Sequence, residues 1–272
     1  MPVGALWHDA GMHRIDLNLF DRVKTTFPSD RHELRRNAIN YHYIKRDYFD
    51  WKSELDLPKK YSSPEMELYY LAVTTAFQHF ESSLDFSQGL EYLLEEKRAN
   101  IMPAICILVR QTLESAFTAN YLCNDSKIRS LAQRGYKIAV RDLNNQTALA
   151  QKMQEFDPLN YNLKFLNVSS LMKQKMHLLK IGNKLGFGGQ DVNEIFNPWI
   201  TKLFKNISIG GEIYNLSWAY MMLSSIGHGT WLGFYPSEKD ISRLLTIKDA
   251  SLRVTLNLLK ARTETILSNP QI

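Results

Sequence analysis

Cysteine is nearly absent from this chain of 272 residues, which holds only Cys106 and Cys123. Two thiols build no disulfide framework, and a reducing cytoplasm is the expected compartment. On one helix the pair would stand ~25 Å apart at ~1.5 Å per residue, too far to bridge. Glycine (13) and proline (9) are also few, which disfavours collagen-like, Gly-rich and turn-dense all-β architectures. No basic, then apolar, leader is visible at the N-terminus, so no signal peptide is expected. The recurrent chemical motifs are missing as well. There is no Glu-x-x-His for a di-iron bundle, and no Cys-x-x-Cys or His-Glu-x-x-His for zinc. No phosphate-binding glycine loop and no Asp-rich magnesium motif occurs. No metal and no cofactor is therefore expected.

What is present is ordinary for a globular protein: 44% hydrophobic and 22% charged residues, with net charge +5. A mildly basic chain suits an anionic partner without requiring one. The dominant hydrophobic period is helical, and the fold class expected is an all-α multi-helix bundle. Residues 1–60 read as an N-terminal helical extension and residues 61–272 as the bundle. Apolar residues from Ile15 to Phe27 suggest a first short helix, and Ser29-Asp30 opens a second over about 31–55. Ser63-Pro64-Glu65 is a strong start signal for a helix to about Arg98. Further helices are expected over about 100–123, 125–156, 168–185, 192–205, 214–227 and 247–267, with Gly186–Gly189 as a loop. Neither an alternating β-branched run nor an Asn-Gly or Asp-Gly turn is evident, so no strand is expected.

Charge is missing from two helical segments. From Ile101 to Asn124 the only charged residues are Arg110 and Glu114, four apart and so on one side of the helix. From Ile213 to Ser237 there is no Asp, Glu, Lys or Arg, and His228 is the group ionisable near neutral pH. That second run is interrupted by Asn215, Ser217, Ser224, Ser225 and Thr230, and reads as a core helix rather than a membrane span. A helix apolar all round is buried, and two such helices in one bundle are expected to meet. Arg110, Glu114 and His228 would then converge as a catalytic or binding centre, with Tyr121, Trp218, Tyr220 and Ser224 shaping the wall. The bland reading is that Arg110 and Glu114 only satisfy each other.

The segments Leu108-Val-Arg-Gln-Thr-Leu-Glu-Ser-Ala-Phe117 and Leu223-Ser-Ser-Ile-Gly-His-Gly229 resemble uncharacterised bacterial all-α proteins similar to the HEPN superfamily. The resemblance covers about residues 60–267. It implies a helical protein binding RNA, a nucleotide or a protein partner, in a bacterial stress or defence system. Active HEPN ribonucleases carry an Arg, four to six intervening residues and then a His. Here Met221, Met222 and Leu223 hold those positions before His228. The spacing does occur at Arg35/Arg36 and His42, at a frequency chance allows.

Lys127, Arg134, Lys137 and Arg141 fall on one helix face as a basic row, interrupted at Ser130. Its partner is either phosphate, on nucleic acid or a small ligand, or the acidic helix carrying Glu81, Asp85 and Glu91. Aromatic and basic residues from Arg35 to Trp51 form a second cluster that can stack bases or snorkel on an amphipathic helix. Three functions stay open: a HEPN-like binding protein, a metal-independent small-molecule enzyme using Arg110, Glu114 and His228, or a structural scaffold, homodimeric in one version.

Overall fold

The computed structural model describes residues 31–57, 63–95, 102–156, 167–188, 206–209, 212–227 and 238–268. Among them run α1 (Arg31–Ser53), α2 (Pro64–Glu95), α3 (Met102–Cys123), α4 (Ile128–Phe156) and α5 (Val168–Lys184). A short hairpin of β1 (Asn206–Ile209) and β2 (Glu212–Asn215) follows, then α6 (Leu216–Gly227) and α7 (Glu238–Leu267). The all-α class holds. The expected helices over 15–27 and 192–205 lie outside the described residues.

The helix ends follow local chemistry. The Ser63 hydroxyl accepts the Met66 amide at 3.2 Å and Pro64 begins α2, so the start signal acts as read. Asn167 caps α5 through the Ser170 amide at 3.1 Å, and Asn215 receives the Trp218 amide at 3.0 Å to open α6. At the end of α5, Gly186 takes φ +73°, its amide reaching Asn183 O while the Phe187 amide reaches Gly182 O. This is the Schellman closure, and it needs glycine because a side chain strains that backbone. Phe187 then buries against Tyr136, ring centroids 6.1 Å apart.

Two expectations need correction. The chain does form a hairpin, pairing Ile209 with Glu212 and Asn206 with Asn215. The signal was Ile207-Ser208-Ile209 and Ile213 flanking the pair Gly210-Gly211, which serves two-residue hairpins as Asn-Gly does. The last helix begins at Glu238, nine residues earlier than the expected Ile247.

The centre is a trio of α2, α3 and α7. On α2 lies α4, with α5 on its outside, and α6 packs on α3. The near-uncharged α3 buries residues on several faces, among them Ile105, Val109, Ala116, Ala119 and Leu122. Both cysteines sit in it, free and buried, and burial pushes each thiol up to about 12. From α1, Tyr41, Ile44 and Tyr48 enter the same core at helical spacing, and Trp51 stacks on Phe77 at 5.5 Å. Among the described residues no helix is long and apolar enough to cross a membrane.

Helices α2 and α4 touch through missing side chains. A Cβ on Gly135 would stand 2.6 Å from Leu68 O and 2.9 Å from the Ala72 amide nitrogen. Those are backbone atoms and cannot step aside. We expect Gly135→Ala to lower the urea midpoint, the overpacking cost of about 1–3 kcal/mol outweighing the ~1 kcal/mol gain in helix propensity.

Candidate functional site

The two charge-poor helices do meet. Along α3, Arg110, Leu113, Glu114 and Phe117 recur at i, i+3, i+4 and i+7. Along α6, Leu216, Ala219, Tyr220 and Leu223 recur at the same spacing. The two stripes line one shallow, open groove with an enclosed volume of about 10 Å3. Arg110 Nε donates to Glu114 Oε1 at 2.8 Å, and the guanidinium carbon stands 5.7 Å from the centre of the Tyr220 ring. The side chains of Arg110 and Glu114 retain 18% and 31% of their exposure, so solvent reaches the pair. Rather than being sealed inside the core, the two charges lie along a groove whose remaining lining is apolar apart from Tyr220.

Not every expected member joins them. Trp218 and Ser224 are half-buried on α6 but do not line the groove. Tyr121 lies one turn beyond Phe117, and its ring sits 4.6 Å under the Arg134 guanidinium. His228 lies outside the described residues, one position past the end of α6. Of the Arg36/His42 pair, His42 is exposed and the Arg36 side chain lies outside the described set.

The basic row on α4 is engaged elsewhere. Arg134 donates to Tyr121 O at 2.6 Å and Asn124 O at 3.2 Å, and pairs with Asp125 at 3.4 Å. Helix α3 has no basic residue in its last turn. Guanidiniums from other helices cover its orphan carbonyls instead: Arg134 from α4, and Arg262 from α7, which donates to Cys123 O at 3.0 Å. Arg141 is buried and bonds Asp142 at 2.9 Å and 3.2 Å. Lys127 is exposed and Lys137 half-buried. Of the acidic residues on α2, Glu81 takes Lys52 and the Tyr48 hydroxyl, and Glu91 takes Lys248.

No protein-family model, curated protein or solved structure matches the chain. The site is therefore argued from its geometry alone. Among the described residues no three His, Cys, Asp or Glu side chains gather as a metal would need.

The sequence reading passed over one ionic cluster. Lys248 on α7 is fully buried, its Nζ 3.2 Å from Asp249 Oδ1 and 3.5 Å from Glu91 Oε1. A signal existed: Leu244, Leu245, Leu252 and Leu256 put Lys248 on the apolar stripe of its helix. Starting that helix at Ile247 cut the stripe short.

The two arginines separate in effect. Arg134→Ala should cost about 1.5–3 kcal/mol in a urea titration, since charge-assisted bonds to helix-end carbonyls are lost. For Arg110→Ala, a half-exposed i,i+4 pair predicts a loss below about 1 kcal/mol.

Proposed function

We propose that this chain is a HEPN-like helical binding protein of the bacterial cytoplasm, serving a stress or defence system. Its ligand is a nucleotide, or a nucleotide of an RNA, seated in the α3–α6 groove. The observation that supports this is a guanidinium held along an apolar groove with an aromatic ring beside it. Glu114 holds the Nε edge of Arg110, fixing the plane of the fork. The Nη edge has the geometry to take two phosphate oxygens. Tyr220, half-buried at the groove, is the ring against which a base can stack, an interaction worth ~1–3 kcal/mol per base. The groove is shallow, with an enclosed volume of only about 10 Å3, so a base or phosphate would lie along its open mouth and leave the rest of the ligand in solvent. That suits one nucleotide of a strand better than a fully enclosed metabolite. The net charge of +5 adds a weak long-range attraction for polyanions.

The test is anisotropy with a labelled single-stranded RNA, and calorimetry with adenosine and guanosine monophosphates. Wild-type protein should bind, with affinity falling steeply between about 50 and 200 mM salt. Arg110→Ala and Tyr220→Ala should each weaken binding about tenfold or more while keeping native helicity. No binding by the wild type, or binding that neither variant changes, overturns the reading.

A further inference from the structure

The Glu91–Lys248–Asp249 cluster lines no part of the groove, and its geometry asks for an explanation of its own. All three side chains are almost wholly buried, at 8%, 0% and 5% exposure. Glu91 Oε1, Lys248 Nζ and Asp249 Oδ1 lie within ion-pair distance, yet none makes a hydrogen bond. Two carboxylates thus share one ammonium in the core. Fully ionised, the cluster would bury one uncompensated negative charge, which low dielectric makes expensive.

Among the described residues, the surroundings do not cancel it. From α1, Asn40 donates to Asp249 Oδ2 at 3.5 Å, and the Tyr41 ring lies 5.9 Å from Lys248 Nζ. Among the described side chains of α1 the nearby cations are Lys45 and His42, the latter the weakest of the charges acting on Glu91. His42 is exposed, and Lys45 is spent on Gln88 at 2.7 Å. From α2 the neighbours are Asp85 and Tyr92, which add negative or neutral character. On α7, Arg253 is exposed; it meets Asn40 Oδ1 at 3.0 Å and its pull is the weakest of those favouring ionised Asp249, behind Lys248 and Asn40. Helix α3 has Arg110 and Glu114 as its charged residues, and both line the groove. The simplest balance is a proton.

We propose that Glu91, Lys248 and Asp249 form a proton-binding latch that seats α1 on the bundle, one proton being shared between the two carboxyl groups while α1 is docked. Burial pushes both carboxyls above their ordinary range, against the opposing pull of Lys248. Helix α1 is the element affected because Asn40 bonds one of those carboxyls directly. Its neighbour Tyr41 covers Lys248 and anchors to Leu84 O at 3.1 Å. Loss of the proton leaves a buried charge that only water can relieve, and water enters where α1 lifts.

The direction follows from proton linkage. A docked state that holds the extra proton loses stability as pH rises from the ordinary carboxylate range through the raised docked value. Below the ordinary range both states are protonated and the dependence disappears. Hydrogen exchange on the full chain, followed over residues 40–53 from about pH 5 to 8.5 and corrected for intrinsic rates, reads this out. Protection of α1 in the wild type should fall with pH, with a limiting slope of about tenfold per unit for one proton. Glu91→Gln and Asp249→Asn each leave one carboxylate for one ammonium and should flatten the slope, while His42→Gln should keep it. A flat wild-type profile, the wild-type slope retained in both carboxyl variants, or a slope abolished by His42→Gln overturns the proposal. Should both variants fail to fold, carboxyl-carbon NMR of the wild type decides. A carboxyl titrating well above the ordinary range supports the latch, and none doing so removes it.

Discussion

Helix α3 carries only two charges in 22 residues, and a rod of that kind cannot be left in water. Its neighbours are arranged to meet this need. Along its length α2, α6 and α7 cover it, and at its C-terminus it has no basic residue of its own to face its unsatisfied carbonyls. Arg134 and Arg262 arrive from two different helices to supply those donors, so burial of the rod and placement of α4 and α7 are coupled. Among the described residues the cover is incomplete where Ile107, Arg110 and Glu114 lie, and the groove opens beside Arg110 and Glu114.

The chain uses ionic pairs in two distinct ways. At the groove, Arg110 and Glu114 keep contact with water, so their desolvation cost is small and a ligand can compete for the guanidinium. In the cluster between α1, α2 and α7, three ionisable groups are withdrawn from water, with Glu91 Oε1, Lys248 Nζ and Asp249 Oδ1 held by charge alone, and their protonation state becomes a structural variable. The first arrangement suits recognition. The second makes the seat of one helix depend on a proton.

Tyr41, Ile44 and Tyr48 tie α1 to the same core as the later helices, although nothing in its average polarity marks it as central. Its buried stripe is narrow, and its outer face carries Tyr43, Arg46 and Phe49 in solvent. Close contact elsewhere relies on small residues, with Gly135 against Leu68 and Ala72, and Gly182 against Tyr136.

Much of the architecture was legible in the sequence because its causes are local. The all-α class follows from hydrophobic period, the start of α2 from Ser63-Pro64-Glu65, and the burial of α3 from its missing charge. The meeting of α3 and α6 followed from the same deficit, since two uncharged helices need each other's surface. Tertiary structure alone decided which side chains share the groove: Tyr220 enters it, and Tyr121 is claimed by Arg134. It also decided that two members of the basic row, Arg134 and Arg141, serve the end of α3 and a neighbouring Asp142. Lys248 shows the physical reason. A charge next to Asp249 in sequence looks solvated, and only the approach of Glu91 and Tyr41, from elements more than a hundred residues away, turns it into a buried ion. Local propensity is written in neighbours along the chain, whereas the cost of a charge is set by neighbours in space.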